Sequence, residues 1–397
     1  MFSSRTNWEL SNNRITEILE YKRKNGSKII DLTESNPTHC DFQYPEKEIL
    51  NFLYKKENLF YEPFPKGILT ARESVSKYYS GYGISAEVEN IFLTASTSES
   101  YSFLFRLLCE PDEEILVPKP GYPLFEFIAG INDVRIKNYS LIYHSGWNID
   151  FDSIKKNISS KTKAIVVVNP NNPTGSFIHK DEFFELIKIC KENEIAIISD
   201  EVFSEYVFNY NPYQVRVLAE TNAILVFSLN GISKMAGLPQ MKLGWIYANG
   251  PDELLKTAVS KLEIIADTYL SVNTPIQNAL PEILQIHKKI SKQILLRIIE
   301  NRSYLLNKLR NTACNCLDSE GGWYAVVRVP KTKTDEKWAI EILENVNVFL
   351  HPGYFFNFDS DGYLVISLIS QKEIFKEGID TTLEYIKKEE KWFDTVI

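Results

Sequence analysis

Apolar and polar positions alternate along this chain in blocks of two lengths. The short apolar runs are IFLTA (91–95), EILVP (114–118), AIVVVNP (164–170), IAIISD (195–200) and AILVFSL (223–229). They are rich in β-branched residues and bounded by turn or polar residues, which predicts buried strands. Between them, SESYSFLFRLLCE (98–110) and KDEFFELIKICKENE (180–194) carry apolar residues at helical spacing. Strands alternating with helices predict an α/β layer structure with a mostly parallel sheet. Ligands in such sheets bind outside the carboxyl ends of the strands, so chemistry is expected just after each run.

From about residue 275 the pattern changes. NALPEILQIHKKISKQILLRIIENRSYLLNKL (278–309) is one long helical stretch, followed by the short strand-like runs GGWYAVVRV (321–329) and GYLVISLI (362–369). The beginning of the chain has a helix of its own and the strand-like KIIDLT (28–33). These blocks predict a large domain over residues 42–290 and a smaller α+β domain built from both chain ends, 1–41 and 291–397.

Composition narrows the options. With 397 residues, 44% apolar and 24% charged, the chain is an ordinary globular sequence with ample core. A net charge of −8 gives no basic footprint for nucleic acid or an anionic membrane, and no apolar run approaches the length of a membrane span. The five cysteines show no metal-ligand spacing, and the five histidines are scattered. Reduced thiols and the lack of a leader-like pattern point to the cytoplasm.

Five strand ends carry unusual residues. TASTSES (94–100) is a hydroxyl-rich turn opening a helix, where Ser96, Thr97, Ser98 and the backbone N–H groups form a candidate phosphate cup; a simple helix cap is the competing reading. PKPGYP (118–123) presents Tyr122, whose ring could stack on a flat ligand or pack on the core. NPNNPTG (169–175) holds Asn172 in a proline-rich turn, before a proline able to take the cis form. ISDEVF (198–203) ends a buried strand on Asp200, a carboxylate that needs a partner. SLNGISKMAGLPQMKLGW (228–245) contains Lys234 and Lys242 among small and apolar residues. A phosphate cup, a stacking ring, an amide, a buried carboxylate and a desolvated lysine together describe a site for pyridoxal phosphate. A lysine of lowered pKa forms the Schiff base, and a carboxylate keeps the ring nitrogen protonated.

These motifs, with DLTESNPT (31–38), YEPFPKG (61–67) and PGYFF (352–356), resemble the class I/II aminotransferases among fold-type I pyridoxal-phosphate enzymes, over nearly the whole chain. The succession NPNNPTG, SDE, SK is the specific part of the resemblance. It implies that Lys234 forms the internal aldimine, Asp200 pairs the ring nitrogen, Asn172 meets the ring oxygen and Tyr122 stacks. Ser96, Thr97, Ser98 and Lys242 would hold the phosphate. Tyr61 would reach a neighbouring subunit's phosphate, so a homodimer with shared sites is implied. The reaction implied is transfer of an amino group from an amino acid to a 2-oxo acid through pyridoxamine phosphate.

Three positions depart from the family pattern. Phe203 stands where a tyrosine commonly contacts the ring oxygen, and Gly231 where serine or threonine is common. Val365 occupies the place of the arginine that grips the substrate carboxylate, and no arginine follows Arg328. Arg328 and Ser35 are the candidates left for that carboxylate. The missing arginine keeps open a second reaction on this fold, β-elimination or decarboxylation. A non-catalytic, cofactor-binding regulator is the remaining alternative, disfavoured because the lysine–aspartate–asparagine set is complete.

Overall fold

A computed structural model describes residues 1–8 and 11–396, with 390–396 by backbone alone. Its centre is an eight-stranded sheet. In chain order its strands are β1 (Ile91–Thr94), β2 (Glu114–Lys119), β3 (Arg135–Tyr143), β4 (Trp147–Ile149), β5 (Thr162–Val168), β6 (Ala196–Asp200), β7 (Val226–Gly231) and β8 (Gly244–Asn249). The spatial order is β1-β8-β7-β6-β5-β2-β3-β4. The pairs from β7 through β6, β5 and β2 to β3 are parallel, whereas β8 runs antiparallel to both its neighbours.

Both faces of this sheet are covered, which is why the central strands read as unbroken apolar runs. Ile165 and Val167 of β5 belong to one apolar layer, and Ala164, Val166 and Val168 to the layer on the opposite face. Helices Thr97–Leu108 and Asp252–Tyr269 cover the second face. Strands β3, β4 and β8 have no counterpart among the sequence-predicted runs. β3 lies near the sheet edge with most of its residues partly exposed, so its polar sequence RIKNYSLIY lacks the apolar signature.

A separate four-stranded antiparallel sheet joins Asn315–Cys316, Tyr324–Arg328, Tyr363–Ser367 and His351–Pro352. Beside it, Ile30–Asp31 pairs in parallel with Val348–Phe349, tying the start of the chain to its last quarter. KIIDLT thus contributes only two ladder residues. Helix Thr274–Leu309 serves both regions: Ile276 of its first turn lies in the apolar core, while Asn301 donates to the carbonyls of Leu368 and Ser370. The boundary expected at residue 290 falls inside this helix. No disulfide links the five cysteines, and no helix among the described residues is long and apolar enough to cross a membrane.

Candidate active site

Strand register assembles the site from distant segments. Val168 lies opposite Asp200, Asp200 opposite Leu229, Gly231 opposite Gly244, and Gly244 opposite Thr94. The turns leaving this edge carry Asn172, Lys234 and the Ser96–Ser98 segment, and Lys242 lies two residues before β8. The Gly231–Gly244 crossing is tight. A Cβ on Gly231 would fall 2.8 Å from the Gly244 Cα and from the Leu243 carbonyl oxygen. Serine or threonine has no room there, which accounts for glycine at that departure from the family pattern.

Lys234 sits in the single helical turn Ile232–Met235. Its carbonyl accepts a 2.5 Å hydrogen bond from the Tyr206 hydroxyl, which fixes the turn. Its Nζ lies 4.9 Å from the Trp323 ring centroid and 5.9 Å from that of Phe203. No hydrogen bond or ion pair engages this amine among the described residues. Burial pulls its pKa down to about 8, against the opposing pull of the Asp200 carboxylate. At neutral pH an appreciable fraction of the amine is therefore uncharged and nucleophilic.

Asp200 is only 7% exposed. Its Oδ2 accepts from the Tyr101 hydroxyl at 3.0 Å and its Oδ1 from the Val202 N–H at 3.2 Å. Burial raises its pKa to about 6, the two hydrogen bonds and Lys234 pulling the other way. The next residue, Glu201, points to the opposite side of the strand. There its Oε1 accepts from Ser199, Ser228 and the Leu218 N–H, and burial raises its pKa to about 8. Alternation along one strand thus separates a carboxylate facing the site from a carboxyl that ties neighbouring segments together.

The NPNNPTG turn is closed on itself. Gly175 N–H donates to the Asn171 carbonyl, and the Asn171 N–H to that of Ser176. Asn169–Pro170 and Asn172–Pro173 are cis, as is Lys119–Pro120. Gly175 has φ +70, and a Cβ there would lie 2.3 Å from the Gly321 carbonyl oxygen. Its own carbonyl accepts from the N–H groups of Glu320 and Gly321, which docks Trp323 and the strand beginning at Tyr324 against the site. Asn172 is buried, and its Oδ1 has no partner. A buried acceptor left unpaired in this way is costly, and turning the amide by 180° presents its NH2 at the same place to a ligand oxygen.

The remaining candidates divide into two groups. Tyr122 is half-buried, edge-on to Phe125 at 5.8 Å; burial, then the nearby Asp200 carboxylate, push its hydroxyl up to about 12. Ser96 caps helix Thr97–Leu108 by accepting from the Glu99 N–H at 3.2 Å, and Glu99 accepts from the Ala95 N–H at 2.7 Å. The cap reading and the anion-cup reading coexist, because the N–H groups of Thr97 and Ser98 have no acceptor within the helix. Ser98 is exposed, and Lys242 is exposed in a left-handed conformation two residues before Gly244. Ser35 is half-buried and interacts with the hydroxyl of Tyr324, which burial raises to about 12.

Two residues stand apart. Tyr61 is 79% exposed, on the segment leading to helix Leu69–Ser80. Arg328 is exposed at the far end of its strand, with its guanidinium 5.8 Å from the Tyr363 ring centroid. Tyr101, Tyr206 and Trp323 join the site without having been singled out in the sequence. The helical spacing that marks Tyr101 as core gives no hint of its hydroxyl, and Trp323 stands beyond a separate glycine pair.

The donor set suits pyridoxal phosphate: a partnerless amine, a buried carboxylate, an unsatisfied amide, an aromatic ring and a helix start with two N–H groups left over by its cap. The family model of class I and II aminotransferases matches residues 27–376. The glutamate-pyruvate aminotransferase AlaA of Haemophilus influenzae is 28% identical over 91% of this chain and 91% of its own length. The tyrosine aminotransferase of Dictyostelium discoideum is 27% identical over 74% of this chain and 73% of its own. The solved alanine aminotransferase from Pyrococcus furiosus superposes with a TM-score of 0.89 at 27% identity, covering 98% of this chain and all of that one. The family match spans most of the chain and the fold is shared with a solved aminotransferase: the chain belongs to the class I and II aminotransferases.

Proposed function

We propose that this aminotransferase moves an amino group from an amino acid to a 2-oxo acid, with Lys234 as the catalytic residue. The observation that carries the assignment is the Lys234 amine, held between Trp323 and Phe203 with its pKa lowered to about 8 by burial. Pyridoxal phosphate, when bound, supplies the electron sink that makes the α-proton of an amino acid labile.

The chain's own groups then have distinct tasks. Asp200, ionised above about pH 6, would hold a proton on the ring nitrogen. Asn172 would donate its amide to the ring oxygen, and Tyr122 would cover the ring. Ser96, Thr97, Ser98 and Lys242 would hold the phosphate. Lys234 carries the proton at the α-carbon, acting as base when neutral and as acid once charged. The walls of Phe203, Trp323 and Tyr324 keep water from that proton.

The proposal includes a homodimer. Leu59, Phe60, Tyr61, Ile264 and Tyr269 are exposed apolar side chains. A second copy would cover this surface and receive Tyr61. We divide the chain into a large domain, 42–290, and a small one, 1–41 with 291–397, and place the protein in the cytoplasm.

The test is single-turnover mixing of cofactor-loaded protein with an amino acid. Stoichiometric oxo-acid product from the wild type, and none from Lys234→Ala, is expected. Ammonia released with turnover in the absence of any acceptor would overturn transamination in favour of elimination.

A further inference from the structure

One face of the small sheet begins beside the site at Tyr324, and its rows can be read outward from there. The first row is Tyr324 with Ser367, the second Val326, Val365 and His351, the third Arg328 with Tyr363. Side chains within a row share a face, and successive rows lie about 6.6 Å apart along the strand. Tyr324 marks the inner end: its ring is 6.4 Å from Phe203 and 6.2 Å from Phe356. Ser367 is committed, its hydroxyl donating to the Glu34 carbonyl at 2.6 Å.

Neither of the first two rows carries a cation. Val365 is 1% exposed, so its short side chain is sealed from solvent between Val326 and His351. His351 sits among Phe349, Phe355 and Phe356, its Nδ1 buried and without a partner. Burial lowers its pKa to about 4, so the ring is neutral at physiological pH. Two cations of this region are engaged or remote. Lys119 is paired with Asp359 at 2.7 Å, and Arg328 lies two rows out, about 13 Å along the strand from Tyr324. What remains near Tyr324 offers no cation: its own hydroxyl, the Ser35 hydroxyl, aromatic surface and the Glu34 carboxylate, whose charge opposes a second anion.

We infer that this end of the pocket does not select for a substrate carboxylate, and that the enzyme transaminates primary amines lacking an α-carboxylate as well as amino acids. A carboxylate seated there would shed water without gaining an ion pair, and an uncharged substituent avoids that penalty. The inference rests on the aminotransferase reading and adds a substrate class to it. The reaction is R–CH2–NH2 + R′–CO–COOH → R–CHO + R′–CH(NH2)–COOH. The C–N bond of the amine breaks, its carbon is oxidised by two electrons, and the oxo carbon is reduced by two as it takes the nitrogen. The oxo acid is the oxidant, so no further reagent is needed.

Matched pairs test this: L-phenylalanine with 2-phenylethylamine, and L-glutamate with 4-aminobutyrate, each at saturating pyruvate with the wild-type holoenzyme. Values of kcat/KM for amine and amino acid within about tenfold of each other, in at least one pair, are expected. A preference of a hundredfold or more for the amino acid in both pairs would overturn the inference while leaving transamination intact. No alanine formed from any of the four donors, and none from a wider amino-acid panel, would overturn the aminotransferase reading beneath it. Val365→Arg is expected to shift the ratio toward the amino acid by at least tenfold. Because Val365 is buried, inhibition of the wild type gives a second readout: phenylacetate should compete no better than phenylacetamide, and a tenfold advantage for the acid would count against the inference.

Discussion

Asp200 places a charge where folding alone would not choose one. Its pKa rises from an ordinary 3.8 to about 6 because burial disfavours the carboxylate. A raised carboxyl pKa means that the folded state holds the proton more tightly than the unfolded chain. The cost of ionisation is absent below pH 3.8 and grows until the pH passes about 6. Two units correspond to about 3 kcal/mol at pH 8 and about half that at pH 5. Asp200→Asn removes the charge but forfeits one acceptor. The new amide can accept from Tyr101 or from the Val202 N–H, not from both, at a cost of about 1 kcal/mol. The cofactor-free variant should therefore be more stable than cofactor-free wild type by about 2 kcal/mol at pH 8 and by about 0.5 kcal/mol at pH 5. Urea denaturation followed by tryptophan fluorescence reads this as a higher midpoint with an unchanged slope. A variant no more stable than wild type at pH 8, or a gain equal at both pH values, would refute the account of Asp200 as a destabilised charge. The same variant should lose transamination, separating what the residue costs the fold from what it does in the site.

Other outcomes follow from the same geometry. With a pKa of about 8, Lys234 is neutral for about a quarter of the time at pH 7.5, against about one in a thousand for an exposed lysine. Trace labelling of cofactor-free protein with cyanate, read by mass spectrometry, should modify Lys234 ahead of the surface lysines; a rate no faster than theirs would contradict the burial argument. Gly231→Ser drives a side chain into the Gly244 backbone and should cost about 1–3 kcal/mol, seen as a lowered urea midpoint. Phe203→Tyr adds a hydroxyl beside the amine and should lower, by about one unit, the pKa governing the visible absorbance of cofactor-loaded protein; an unchanged titration would mean that the new hydroxyl does not reach the cofactor.

The layered α/β fold was legible because β5, β6 and β7 are buried on both faces and so spell out apolar runs. Their carboxyl ends could be read for the same reason: an aspartate closing IAIISD, or a lysine among glycines and apolar residues, stands out where every neighbour is buried. β8 was hidden because its apolar run follows the lysine segment directly, with no turn signal between them. β3 was hidden because a strand next to the sheet edge, with most residues partly exposed, need not be apolar. Tyr101 and Tyr206 were illegible for another reason. Each is fully at home in the core by its ring, and only three-dimensional placement reveals that Tyr101 donates to Asp200 and Tyr206 to the Lys234 carbonyl. Val365 was conspicuous against the family pattern, yet its neighbour His351, fourteen positions earlier, became relevant only through the antiparallel register.

The pairing of Ile30–Asp31 with Val348–Phe349 bears on the order of events during synthesis. A ribosome adding about 5–20 residues per second takes tens of seconds to deliver the second strand after the first has emerged. In that interval the segments of the central sheet, contiguous in the chain, can collapse on one another. The early strand meanwhile waits with its ladder groups open and Leu32, destined to be fully buried, still in water. Closing so long a loop adds only a modest entropic cost, so the delay is kinetic more than thermodynamic. A pause engineered late in the message should therefore raise aggregation more than the same pause placed before residue 91.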